Sequence, residues 1–311
     1  MTTGGSLVSK RHRDLLLVAA VLTFLVVTLG GVVCLTDASG GCPDWPWCHG
    51  QLVPPLQIDS ILEYTHRVVA GLASLSILAS VIAGWRRARS IRWVTWPPTI
   101  AVGFLLAVIG FGAMVVLRGL EPGLAALDLG SALVVLALMV SATVVAFRRY
   151  EDSNLPDRLS FGNPYAKLTL GTLVVVLVVL VSGVLVAASG SAVRCLSWPQ
   201  YGAPLALEGL RGWLDLARLA LSIVGSGLVV AIVVGAWRGQ PRATGIRPTA
   251  TLLGLLFAAE VAVGVFIVVY GPAVVLQVMH VATAAALWST FVVLVVLAGL
   301  ASPAASEKVL R

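Results

Sequence analysis

The sequence predicts an all-α integral membrane protein with eight transmembrane helices arranged as two pseudo-symmetric four-helix bundles. Three observations lead there: the composition, the spacing of the apolar runs, and a repetition of the first half in the second. Of the 311 residues, 59% are apolar and 11% charged, and mean hydropathy is +0.98. Water-soluble domains carry about 25% charged residues, so lipid is the solvent this composition suits.

Apolar runs recur at 15–35, 66–85, 97–117, 125–147, 168–188, 213–237, 248–270 and 274–299. Each is about long enough to cross a ~30 Å hydrocarbon core as a helix. Stretches such as VVVLVVLVSGVLV lack the alternation that a lipid-facing barrel strand requires. The first run has a basic flank like that of a signal peptide, but its length and the lack of a small-residue cleavage site predict a retained span.

The repeat has an offset of 152 residues, pairing Gly31 with Gly183, His66 with Arg218, Gly112 with Gly264 and Asp128 with His280. The loop CPDWPWC at 42–48 matches CLSWPQY at 195–201 one residue further on. Duplication predicts two helical halves. Each has an even number of spans, so both share one orientation about an axis along the membrane normal. The expected division is an N-terminal half over 1–147, with an outer loop at 36–62, a linker at 148–167 and a C-terminal half over 168–311.

The net charge of +7 sets orientation and does not imply nucleic acid. Basic clusters at 10–13, 86–92, 148–167, 238–247 and 308–311 all fall on one side of an even-span chain. The positive-inside rule makes that side, with both termini, cytoplasmic. The connections at 36–62, 118–124, 189–212 and near 271 then face outward.

Chemistry is concentrated in few places. Cys42 and Cys48 lie in the outward loop, where an oxidising compartment favours a disulfide, and the prolines at 43 and 46 keep the segment out of helix. Cys34 and Cys195 read as inert thiols. Glu63 and His66 stand three apart in EYTHR, on one helical face. Their plain reading is an interfacial pair with Arg67 snorkelling to lipid phosphate; the functional one makes His66 a cofactor ligand with Glu63 handling protons beside it. His280 lies inside the last span, just after Gln277, where a polar ring needs a partner. Iron ligation and a satisfied bundle-interior histidine are its two readings. His12 reads as a residue of the cytoplasmic tail.

Asp128, Asp215, Arg218 and Glu260 are the remaining ionisable groups within or near apolar spans. Asp215 and Arg218 are spaced to pair on one face, and a buried Glu260 has to be paired or protonated. No P-loop, dinucleotide fingerprint, HExxH or serine-nucleophile motif is present.

The outward CPDWPWC loop, EYTHR and QVMH in a duplicated eight-helix chain together resemble the heme A synthase family of cytochrome oxidase assembly. The resemblance covers nearly the whole chain. It implies a bacterial or archaeal cell-membrane protein that oxidises the C8 methyl of heme O to a formyl group, with heme B as cofactor. It implies a heme O synthase, a prenyltransferase, as supplier of the substrate, and an electron donor or acceptor as a further partner. Self-assembly into a homo-oligomer stays open.

By that resemblance Glu63 matches the catalytic glutamate, His66 a heme ligand of the N-terminal half, and His280 a heme B ligand of the C-terminal half. Cys42 and Cys48 match the cysteine pair of the first outer loop, linked to electron delivery or loop integrity. The chain departs from the family where Asp128 and Arg218 stand at positions that carry histidines. Each half therefore keeps one ligand histidine, leaving an open sixth position, a propionate contact to Arg218, or loss of the hemes as the consequences. Asp128 is expected to hydrogen-bond His66. The alternative reading is a heme-binding paralogue without formylating activity: an electron carrier, heme chaperone or oxidase accessory protein.

Overall fold

The computed structural model describes residues 8–118, 121–152, 155, 159–186, 209–239 and 245–302. Eight helices follow in order: α1 Lys10–Leu35, α2 Ile58–Arg87, α3 Arg92–Arg118, α4 Pro122–Glu151, α5 Pro164–Val186, α6 Gly209–Gly239, α7 Ile246–Tyr270 and α8 Val274–Ala301. No β-strand occurs among the described residues, only an isolated Cys48–Gln51 bridge. All eight helices are long and apolar enough to cross a membrane. In hydrocarbon a helix is the structure that satisfies its own backbone, so composition and element type agree.

The helices run past the apolar runs. At 30 residues α2 is about 45 Å long, longer than the hydrocarbon needs. It starts at Ile58, so the outer loop ends before 62 and EYTHR lies inside the helix. Helix starts use ordinary devices: the Ser9 hydroxyl accepts from the His12 N–H as an N-cap, and Pro122 occupies the first position of α4, where a missing N–H costs nothing.

Within the first half, α1 packs on α2 and α4, and α3 on α2 and α4. The second half closes in the same order, α5 on α6 and α8, α7 on α6 and α8. The halves meet where α8 lies against α1 and α4, and α4 against α5. This packing is consistent with two four-helix bundles. Buried Trp288 of α8 donates its indole N–H to the Leu133 carbonyl of α4 at 3.0 Å. Two matching side-chain bonds follow the 152-residue offset: Trp85 donates to Thr99 at 3.0 Å and Trp237 to Thr251 at 3.1 Å.

Small residues set the approach at the centre. A Cβ on Gly31 of α1 would lie 2.3 Å from Val281 Cγ1 of α8, and one on Gly30 would lie 3.1 Å from His66 Cε1 of α2. Two adjacent glycines thus let α2 and α8 close on opposite flanks of α1, beside the histidines expected to carry function.

One expectation is corrected at the other end of α1. His12 is a buried residue of the first turn, and both its ring nitrogens are enclosed without a hydrogen-bond partner.

Candidate functional site

All five positions expected to face a cofactor, His66, Asp128, Arg218, Gln277 and His280, lie at one end of the bundle. His66 comes eight residues into α2, Asp128 six into α4, and His280 six into α8. At 1.5 Å per residue these depths are about 9 to 12 Å. Arg218 comes nine residues into α6 and joins them at the same end.

The loop of the first half is a built object. Cys42 and Cys48 form a disulfide, as the sequence predicts, and both are fully buried. Asp44 accepts from the backbone N–H groups of His49 and Gly50, each at 2.6 Å. The Gly50 bond is the main cause that holds the exposed Asp44 carboxyl below its ordinary value, with His49 adding to it. The turn runs through His49 at φ 55° and Gly50 at φ 68°, the left-handed region that glycine enters without strain. Trp45 and Trp47 are about half exposed, placed to rest in an interface.

Arg67 ties this loop to α2. Its guanidinium donates to the carbonyls of Asp44 at 2.7 Å, Trp47 at 2.5 Å and Cys42 at 3.1 Å, and it pairs with the Glu63 carboxylate one turn earlier. The other Glu63 oxygen accepts from the Cys42 N–H at 2.8 Å. Ser60 donates to the Gly41 carbonyl at 2.7 Å, and a Cβ on Gly41 would lie 2.4 Å from the Asp59 backbone. The expectation that Arg67 snorkels outward is therefore corrected. Desolvated carbonyls and a buried carboxylate supply fixed acceptors that outcompete lipid phosphate, and the planar fork reaches several at once. Nothing in the spacing of EYTHR distinguishes these two directions.

His66 stands behind the loop. Its ring packs on Gly30, and its Nδ1 is enclosed without a hydrogen-bond partner. Asp128 Oδ1 is in the same condition. The expected bond between the two does not form through these atoms.

In the second half His280 is buried, and its Nδ1 lies 3.1 Å from Oε1 of Glu260 on α7. Thr283 donates its hydroxyl to the other Glu260 oxygen. Glu260 is buried and paired, as burial requires. Arg218 is also buried and donates Nε–H to the Val179 carbonyl of α5 at 3.4 Å. Gln277 sits half-buried in the first turn of α8. Cys34 is disulfide-bonded, which corrects its reading as an inert thiol; Cys195 and Tyr201 lie outside the described residues.

Sequence reasoning missed Arg67 as the clamp and Glu260 as the partner of His280. The i, i+4 spacing of Glu63 and Arg67 was a legible signal; the second pairing joins two helices and left none.

Among the described residues no group of three or more His, Cys, Asp or Glu is placed to hold a bare metal ion. Axial donation to a macrocycle asks less, one imidazole per face. The enclosed Nδ1 of His66 and the buried ring of His280 fit that demand. The fold and site thus define a multi-pass membrane protein with one imidazole in each helical half, half-buried in the first and buried in the second, and a disulfide-closed loop over the first.

The family model described as cytochrome oxidase assembly protein matches residues 13–292, and the chain belongs to that family. Similar relatives include the heme A synthases of Staphylococcus aureus strains JH9, Newman and USA300. Each is 26% identical over 277 residues, covering 87% of this chain and 90% of the relative.

Proposed function

We propose that this chain is a heme-modifying membrane oxidoreductase that converts the C8 methyl of heme O to the formyl of heme A, with heme B as its cofactor. The observation that supports this reading is the Glu63–Arg67–Cys42 cluster, which bonds the residue matching the family's catalytic glutamate to the cysteine loop, with His66 three residues further along the same helix. Family membership over residues 13–292 supports the heme-modifying role in oxidase assembly. When bound, the heme B iron would supply the redox chemistry.

The residues of the chain have separable tasks. His66 would hold the substrate heme and His280 the cofactor heme, each through its imidazole. Glu63 and Arg67 fix the disulfide loop as a lid, which excludes water from the mouth of the first half and leaves the Trp45 and Trp47 rings to cover an apolar porphyrin edge. Arg218 offers a guanidinium suited to a propionate, and Asp128 a carboxylate near the second face of the N-terminal site. Gln277 adds an amide one turn from His280. In this reading the loop end faces out of the cell, both termini lie in the cytoplasm, and a heme O synthase and an electron partner complete the pathway.

Asp128 and Arg218 in place of two histidines favour a second reading, a heme-binding paralogue without formylation. Cells supplied with heme O decide between them. Heme A found only when this chain is present supports the synthase; b-type heme in the purified protein without heme A supports the paralogue. A purified chain with no Soret band after heme-replete expression overturns both. Arg218→His should move the spectrum toward low-spin, six-coordinate iron, and an unchanged spectrum argues against a shared cavity.

A further inference from the structure

We propose that the groove between α6 and α7, at the end of the bundle away from the disulfide loop, is a binding site for an anionic phospholipid. An acyl chain lies along Leu252 and Leu255, and the phosphate of the head group sits at Arg247.

The groove has the polarity of a lipid. It encloses about 500 Å³ between Trp237, Arg247, Pro248, Thr251, Leu252 and Leu255, within the roughly 300–1,000 Å³ usual for ligand pockets. Trp237, Leu252 and Leu255 are exposed. Along α7 the lining passes from a cation at 247 to a leucine at 255, about 12 Å of helix. Trp237 follows Arg218 by 19 residues on α6, about 28 Å along the axis, which separates the groove from the site described above.

Charge selects an anion. Between Asp215 and Glu260 the sequence has no acidic residue and carries Arg218, Arg238, Arg242 and Arg247. The Arg247 guanidinium lies over the Trp237 ring, 5.8 Å from its centroid, at the polar end of the groove. A planar guanidinium suits phosphate, indole rings sit at head-group level, and basic pockets between membrane spans hold anionic head groups.

Comparison of the halves shows what opens the groove. At the 152-residue offset Trp237 corresponds to Trp85, Arg247 to Thr95 and Pro248 to Trp96. Both helix pairs are held alike, each tryptophan donating to the matching threonine, Thr99 or Thr251. In the first half the Trp96 ring packs edge to face on Trp85, with centroids 5.5 Å apart. Pro248 has no indole to place there, and the space beside Trp237 stays open. Thr95 is buried and donates its hydroxyl to the Ala88 carbonyl at 2.9 Å, so the cation at position 247 is a feature of the second half.

Native mass spectrometry of the full chain in detergent, titrated with dioleoyl phosphatidylglycerol or dioleoyl phosphatidylcholine, tests the site. The first lipid bound should be phosphatidylglycerol, preferred about five-fold, and Arg247→Gln should remove that preference. Pro248→Trp, which carries the residue of the first half, should weaken phosphatidylglycerol binding by filling the groove. If it fails to fold, Leu255→Trp on the same exposed face is the second variant, with the same loss expected. Arg89→Gln, which removes the guanidinium that lies over Trp85, should leave the preference intact. Equal binding of the two lipids, a preference that survives Arg247→Gln, or an equal loss in Arg89→Gln overturns the proposal. A dimer that Pro248→Trp dissociates would assign the groove to a second copy of the chain and overturn it as well.

Discussion

The two halves hold a carboxylate near their retained histidine and use it differently. In the first, Glu63 shares a helix with His66 and spends its oxygens on Arg67 and the Cys42 N–H, so the acid binds a loop and the imidazole Nδ1 has no internal partner. In the second, Glu260 comes from the neighbouring helix and approaches the imidazole, its Oε1 3.1 Å from Nδ1 with no hydrogen bond formed by that nitrogen. The two helical halves therefore place their acids differently, one on the disulfide loop and one against the histidine ring. The position of the carboxylate relative to the helix that carries the histidine decides which.

Removing the clamp should break the comparison most severely. Arg67→Ala leaves Glu63 buried with one donor and frees three loop carbonyls; loss of one partner of a buried pair costs about 3 kcal/mol. Thermal unfolding in detergent should show the loss, and limited proteolysis should cut the loop in the variant before it cuts the parent. An equally resistant loop would mean that the disulfide alone holds it.

The double variant Cys42→Ser, Cys48→Ser tests that disulfide, which spans a sequence separation of 6. Opening so short a loop should cost about 2 kcal/mol, with the loss confined to the first half. Cleavage of the C-terminal half at the parent's rate, measured alongside, confirms the confinement.

The glycine step between the halves allows a finer comparison. Gly31→Ala places a Cβ 2.3 Å from Val281 Cγ1 and should destabilise the α1–α8 contact by about 1.5 kcal/mol through overpacking. Gly30→Ala meets His66 Cε1 at 3.1 Å, a contact that a small ring movement relieves, so its effect should be smaller and felt by His66. Equal losses of melting temperature in the two variants would contradict this ordering.

Trp85→Phe and Trp237→Phe remove corresponding indole–threonine bonds, each on a partly exposed ring. Each should cost about 0.5 kcal/mol, and closely matched values would support the duplication. The smallest effect concerns pH. Because the Asp44 carboxyl is held below its ordinary value by the Gly50 and His49 N–H groups, its contribution is present above the unfolded carboxylate value and lost as pH falls through the lowered folded one. The protection factor of the Gly50 amide, its exchange rate relative to the intrinsic rate at each pH, should hold at neutral pH and fall only on acidification, and Asp44→Asn should abolish that acid step.

How much of this was legible depends on sequence distance. The eight spans, the Cys42–Cys48 disulfide and the place of His280 inside the last span followed from composition and local spacing; the burial of Glu63 did not, because EYTHR reads as a segment at the membrane surface. The fold class needed only long apolar runs, because hydrocarbon leaves a chain few ways to satisfy its backbone. Cys42 and Cys48 close a short loop, and short loops have few alternatives. The direction of Arg67 was not legible, since an arginine at a helix end reaches lipid and a loop equally well and only the folded loop puts carbonyls within its range. His12 was misread for a related reason: it sits near a predicted boundary, where a shift of a few residues changes solvent into protein, whereas the disulfide of Cys34 is a bond that local spacing does not carry.

The sequence by itself determined that this chain spans a membrane eight times and where along it imidazoles and cysteines fall, because those facts depend on residue type and one-dimensional spacing. Tertiary structure alone decided which groups meet across elements: Glu260 approaches His280 because the turn through Gly271 sets the register of α7 against α8, and Arg67 reaches the carbonyls of Cys42, Asp44 and Trp47 because the disulfide loop folds over α2. Side-chain pairing acts over a few ångströms, a length scale that apolar periodicity does not encode.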